Sequence, residues 1–130
     1  MLFAEAFVQR MAHQAGGTVA LIGSVAGDRG RKSNYVYGAA KGLVERYAQG
    51  LQHRFGAGPL TVVLVKPGPT ATPMTAHLPG AKLAPVEHVA RDIVAGIARG
   101  QAVVYTPGKW RLVMLVIRHL PAFIFNKMDI

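Results

Sequence analysis

Residues 18–27 read Thr18-Val19-Ala20-Leu21-Ile22-Gly23-Ser24-Val25-Ala26-Gly27. The run 18–22 shows no polar alternation and is closed off by Gly16-Gly17 and Gly23. That predicts a short strand buried on both faces, as in a parallel sheet. Upstream, the near-helical spacing of Leu2, Phe3, Ala6, Phe7, Arg10 and Met11 predicts an amphipathic helix over 2–14. Downstream, 23–34 has loop composition. Residues 35–55 predict a helix with Ser33 or Asn34 available as its cap. A second buried strand is expected over 60–65. Residues 66–85 carry five prolines and two glycines, too irregular for one element and long enough to be a functional loop. A third helix is expected over 86–99, with Val89, Ile93, Val94 and Ile97 on one stripe, then a third strand over 102–105. A last helix, 109–120, is stopped by Pro121. Helix and strand therefore alternate, which argues for an α/β fold: a partial, doubly wound parallel sheet with right-handed crossovers and helices on both faces. The three strands, near 18–23, 60–65 and 102–106, should pair in parallel, with Ser24 and Pro67 at one edge.

Composition sets outer bounds. With 51% apolar and 16% charged residues the chain is no disordered segment, and 130 residues fit one domain, 1–130. There is no cysteine, which excludes a disulfide scaffold and a cysteine-ligated metal site and fits a reducing, cytoplasmic compartment. The formal charge of +9 asks for an anionic partner or none. Arg29, Arg31 and Lys32 form one cluster, and Lys109, Arg111 and Arg118 another. No aromatic residues interleave with the first cluster, so it does not resemble a base-stacking platform, and nucleic acid is not the expected partner. The opening residues 1–14 lack a basic region followed by an apolar run, unlike a secretory signal. The apolar stretch 110–125 is broken by Arg111, Arg118, His119 and Pro121 and is shorter than the ~20 residues of a bilayer span. It belongs to an amphipathic tail, 109–130. Trp110, Val113, Met114 and Ile117 make one stripe, Arg111, Leu115 and Arg118 another, and 122–125 continue apolar. Two readings stand: a helix in a membrane interface over 109–125, or a tail packed on the sheet or over a substrate pocket.

Chemistry concentrates in two segments. Tyr37 and Lys41 are four positions apart and share one helix face. An ammonium near a phenol favours the phenolate and brings a tyrosine toward acid/base use. Ser24 ends a strand, where open parallel sheets place their sites, and a hydroxyl there can donate to a developing oxyanion. Tyr-x-x-x-Lys alone is equally the mark of a packing tyrosine and a solvated lysine. The context adds weight: Ser24 precedes Tyr37 by thirteen residues, and Pro67-Gly68 closes the next strand.

The successive segments TVALIGSVAG, YVYGAAKG and VVLVKPGPTATPMT resemble core motifs of the short-chain dehydrogenase/reductase family. The resemblance implies a Rossmann-type fold and hydride transfer between a nicotinamide cofactor, NAD or NADP, and a carbonyl or alcohol. It makes Ser24 the residue that polarises the substrate oxygen and Tyr37 the proton donor and acceptor. Lys41 would hold the nicotinamide ribose and depress the tyrosine pKa, so Tyr37 and Lys41 count as cofactor neighbours too. Pro67, Gly68, Thr70 and Thr72 would line the nicotinamide. Thr70 stands where the family has an apolar β-branched residue, and Pro69 and Pro73 stiffen the loop beyond the pattern. Tyr35 has Ala39 four positions on, which favours Tyr37. On the enzyme reading the expected substrate is an apolar, lipid-like small molecule, and the expected full-length form is a homo-oligomer.

No Gly-x-x-x-Gly-x-Gly turn follows any predicted strand, and no charged residue after a second strand selects between NAD and NADP. The Asn-Asn-Ala-Gly segment and the asparagine of the family are also lacking. The expectation is a catalytic, C-terminal half with Met1 a truncated or misassigned start, inactive by itself and prone to associate. The alternative is a non-catalytic remnant that binds protein or membrane.

Overall fold

The computed structural model describes residues 2–14, 16–78 and 82–130, so Met1 and part of the expected functional loop, 79–81, lie outside the described residues. In chain order the elements are α1 (Leu2–Ala12), β1 (Gly17–Ile22), α2 (Tyr35–Phe55), β2 (Leu60–Pro67), α3 (Val86–Ala98), β3 (Val103–Thr106), α4 (Lys109–His119) and α5 (Ala122–Phe125). Single 3-10 turns stand at Val25–Gly27 and Pro73–Thr75. The strands form one parallel sheet in the order β1-β2-β3, with Ile22 opposite Val65 and Pro67 opposite Thr106. The central strand runs to Pro67, two residues beyond the expected 60–65. Proline ends it naturally, having no N–H to give to the ladder.

Strand side chains alternate across the sheet, and the two faces bury different helices. Leu60 and Val62 pack with Val8 of α1 and Leu51 of α2, and Val19, Leu21, Tyr47 and Phe55 close around them. Val63 and Val65 face the other way and pack with Val104, Ile93 and Ile97. α2 and α3 therefore cover opposite faces while both crossovers step in the same direction across the sheet. Two such crossovers must be of opposite hand, so the expectation of right-handed connections holds for only one. The residues between Gly68 and α3 are what let the chain pass from one face to the other before the helix begins.

Three smaller expectations are corrected. Val94, assigned to the buried stripe of α3, is 67% exposed, because the helix lays Ile93 and Ile97 on the sheet and buries Val89. Asn34 occupies the cap position of α2 without a side-chain capping bond, and its Oδ1 is buried with no hydrogen-bond partner among the described residues. Lys66 is not a loop residue: it lies within β2 and is 2% exposed.

Candidate active site

Ser24 lies two residues beyond the end of β1, and Pro67 ends the adjacent strand, so both stand at the same edge of the sheet. Ser24 opens the 3-10 turn and its Oγ accepts from the Ala26 N–H at 3.1 Å. The hydroxyl hydrogen stays available for another acceptor. Tyr37 and Lys41 are in the first two turns of α2. The Lys41 ammonium sits 5.7 Å from the Tyr37 ring centre and donates to the Ile22 carbonyl at 3.1 Å. Lys41 thus ties the start of α2 to the end of β1, two residues before Ser24. Tyr37 is 41% exposed, open to a ligand at this edge.

Backbone contact between the 3-10 turn and α2 makes this possible. A Cβ on Gly27 would stand 2.8 Å from the Lys41 carbonyl carbon, and one on Gly38 would stand 2.9 Å from the Ala26 oxygen. Neither neighbour is a flexible side-chain end, so a methyl group at either position must push the turn off the helix. Gly27→Ala is expected to cost about 1–3 kcal/mol of stability, read as a lower urea midpoint with an unchanged slope.

At the end of β2, the Gly68 N–H donates to the Thr106 carbonyl at 2.9 Å and Thr70 Oγ1 donates to the Gly68 carbonyl at 3.0 Å. The Thr72 N–H donates to Thr75 Oγ1 at 3.1 Å and the Thr75 N–H to the Thr72 carbonyl at 3.0 Å, which together hold the Pro73–Thr75 turn. The threonines are therefore held by this loop's own hydrogen bonds. Trp110 also belongs to this corner: a Cβ on Gly68 would run into its indole at Nε1. The indole packs on the turn, a role its place in an amphipathic stripe did not signal.

Behind the edge lies an ionic cluster that the sequence did not announce. Lys66 Nζ pairs with Asp28 Oδ1 and with Glu45 Oε1, the latter at 2.9 Å, and reaches the Tyr105 hydroxyl at 3.3 Å. Tyr105 donates to Asp28 Oδ2 at 3.0 Å. Burial alone pulls the Lys66 ammonium down, but the hydrogen bonds and charges of Asp28 and Glu45 outweigh it and hold its pKa above the usual lysine value. Burial pushes the Tyr105 phenol up, with Lys66 opposing and Asp28 adding to the shift. A groove of about 630 Å³ between α2, β3 and α4 opens on this cluster rather than on Tyr37. Each acidic partner follows a segment of the candidate site. Asp28 comes directly after the turn headed by Ser24, and Glu45 is one helical turn after Lys41.

Comparison with known proteins agrees with the motifs. The short chain dehydrogenase family model matches residues 1–82. The chain is 32% identical over 127 residues to an uncharacterized oxidoreductase of Streptomyces coelicolor, covering 98% of this chain and 49% of that protein. A short chain dehydrogenase from Burkholderia cenocepacia, solved with NADP, superposes with a TM-score of 0.79 at 20% identity, over 89% of this chain and 50% of its own. The bulky-bulky ketone specific alcohol dehydrogenase of Comamonas testosteroni gives 0.70 at 25% identity, over 97% and 49%. The chain belongs to the short-chain dehydrogenase/reductase family. It spans about half the length of the curated relatives it matches.

Proposed function

We propose that this chain carries the proton-transfer apparatus of an NAD(P)-dependent oxidoreductase acting on an apolar, lipid-like carbonyl or alcohol. The observation that supports it is Tyr37 standing exposed beside the Lys41 ammonium, with Lys41 bonded to the strand end that leads to Ser24. In the reduction direction the Tyr37 hydroxyl gives its proton to the carbonyl oxygen as charge develops there. The nearby ammonium stabilises the phenolate left behind. Ser24 donates its free hydrogen to the same oxygen and orients it. In the oxidation direction Tyr37 receives the proton back.

The residues present suit the nicotinamide end of a dinucleotide. Lys41 spends one N–H on Ile22 and keeps two for ribose hydroxyls. Pro67, Gly68, Thr70 and Thr72 form the wall against which the ring would lie. The bound nucleotide supplies or accepts the hydride. Met74 and Leu78, 71% and 42% exposed in the loop after this wall, support an apolar substrate, as does the Comamonas relative's preference for bulky ketones. The test is nucleotide-dependent reduction of apolar ketones, and oxidation of the matching alcohols, by the longest natural polypeptide carrying residues 1–130. Turnover with NADH or NADPH is the expected result. Absence of turnover with both nucleotides in both directions would overturn the reading.

A second reading concerns the C-terminal segment. Its exposed apolar side chains, Leu112, Leu115, Val116 and Phe123 among them, favour contact with a membrane surface over 109–125.

A further inference from the structure

The turn that carries Ser24 is held at both ends by consecutive residues of β2. At its start the Gly23 N–H donates to the Val65 carbonyl at 2.8 Å, which extends the ladder between β1 and β2 by one bond. At its end the Asp28 carboxylate meets the Lys66 ammonium. Between these anchors the backbone closes on itself. The Gly27 N–H donates to the Ser24 carbonyl at 3.1 Å, and the Asp28 N–H to the Val25 carbonyl at 3.2 Å. Ser24 to Asp28 therefore move as one piece, and a pull on the Asp28 side chain is felt at the Ser24 hydroxyl.

The same lysine reaches the helix that carries Tyr37 and Lys41. Side chains alternate across a strand, so Lys66 lies on the face of the sheet that α2 covers. There its ammonium pairs with Glu45 at 2.9 Å. Tyr105, opposite Lys66 in the register of β2 and β3, gives its hydroxyl hydrogen to the second Asp28 oxygen at 3.0 Å. Burying such charges is costly, and well-packed apolar side chains of similar volume often stabilise a fold as well or better. What apolar packing lacks is direction, whereas charge-assisted hydrogen bonds fix the place of both partners. The backbone contact of Gly27 with Lys41 limits how near the turn and the helix approach. The ion pairs keep them from drifting apart.

We propose that Lys66, acting through Asp28, is a positioning residue for the proton-transfer site. It sets Ser24 against Tyr37 so that both hydroxyls reach one substrate oxygen. The proposal rests on the oxidoreductase reading of Ser24 and Tyr37 and adds the group that fixes their separation.

The test is Asp28→Ala, alone and combined with Ser24→Ala, in the longest natural polypeptide carrying residues 1–130. Asp28 is the member to remove, because Lys66 and Glu45 then stay paired and their charges cancel. A misplacement of about 1 Å costs on the order of 100-fold in rate, so Asp28→Ala should lower kcat about 10- to 100-fold. Nucleotide affinity should not change, since the Lys41 bond to Ile22 does not pass through the turn. Ser24→Ala alone should lower kcat about 10²- to 10³-fold, as loss of an oxyanion donor does. The double variant should be no slower than Ser24→Ala, because a hydroxyl that is absent cannot be misplaced. Asp28→Asn keeps the volume and one acceptor oxygen, and should show a smaller loss with the same lack of additivity. It replaces Asp28→Ala if that variant fails to fold. An equal slowing by the Asp28 substitution in both backgrounds would mark a purely structural role and overturn the proposal. Wild-type kcat in Asp28→Ala would overturn it too.

Amide hydrogen exchange gives a reading that needs no turnover. The Ala26 and Gly27 amides are both bonded to Ser24, and Gly23 is bonded to Val65. In Asp28→Ala the first two should exchange about tenfold faster or more, as a local opening requires, while Gly23 stays protected. Unchanged exchange at both would overturn the tether. If the wild-type polypeptide shows no turnover, the oxidoreductase reading fails, and exchange still decides whether Lys66 and Asp28 hold the turn.

Discussion

Tyr37→Phe is expected to lower turnover about 10²- to 10⁴-fold, the range that a positioned proton donor contributes, while changing nucleotide affinity little. The substitution removes one oxygen from a partly exposed ring. The Lys41 bond to Ile22 does not involve that oxygen, so the tie between β1 and α2 should persist. Lys41→Met differs in kind. It removes both the cation beside the phenol and the bond to the strand end, so nucleotide affinity and rate should fall together. The separation is read from kcat and from nucleotide titration of each variant in the longest polypeptide carrying this chain. Near wild-type turnover in Tyr37→Phe would remove Tyr37 from the reaction. Unchanged nucleotide affinity in Lys41→Met would remove Lys41 from the cofactor.

The second large effect is on stability. Lys66→Met is expected to destabilise the fold by about 3–5 kcal/mol, because the carboxylates of Asp28 and Glu45 would stay buried without their cation. The side chains of all three are almost wholly buried, at 2%, 0% and 7% exposure. Removing the two negative charges as well, in Lys66→Met/Asp28→Asn/Glu45→Gln, should recover a substantial part of the loss. Packing is similar in both variants and only the uncompensated charge differs. If the triple variant is no more stable than the single one, the loss came from packing and not from charge. The cluster also sets an alkaline limit. The pKa values of Lys66 and Tyr105 are both raised in the folded chain. A raised value means stability that is complete below the unfolded-state pKa, about 10.4 for lysine and about 10 for tyrosine, and is lost as pH climbs through the folded value. Urea midpoints should therefore be insensitive to this cluster near neutrality and decline above about pH 10.

The elements were legible because the runs 18–22 and 60–65 are almost wholly apolar, carry no charge and are bounded by glycine and proline, so only their ends were displaced. The nearness of Tyr37 and Lys41 was legible because they share a helix face by spacing alone, and the place of Ser24 just past β1 because Gly23 closes the apolar run. Lys66 was not. A lysine after four apolar residues reads as the charge that ends a strand. Its burial depends on Asp28, Glu45 and Tyr105, which approach only once the strands and α2 are assembled. The opposite hands of the two crossovers were hidden for a similar reason. Element order alone does not say which face a helix takes after so long a connection. The two readings of the tail stayed open in the sequence, since the spacing of α4 suits a buried stripe and an exposed one alike.

Trp110 is the single tryptophan of the chain, and its indole rests on Gly68. Fluorescence excited at the red edge of protein absorption therefore originates from one place, beside the turn at the end of β2. Its emission colour and its accessibility to a soluble quencher give a local optical record of that corner without any label. The same record follows the corner through a titration, a change of pH or a temperature ramp, independently of whether turnover can be measured.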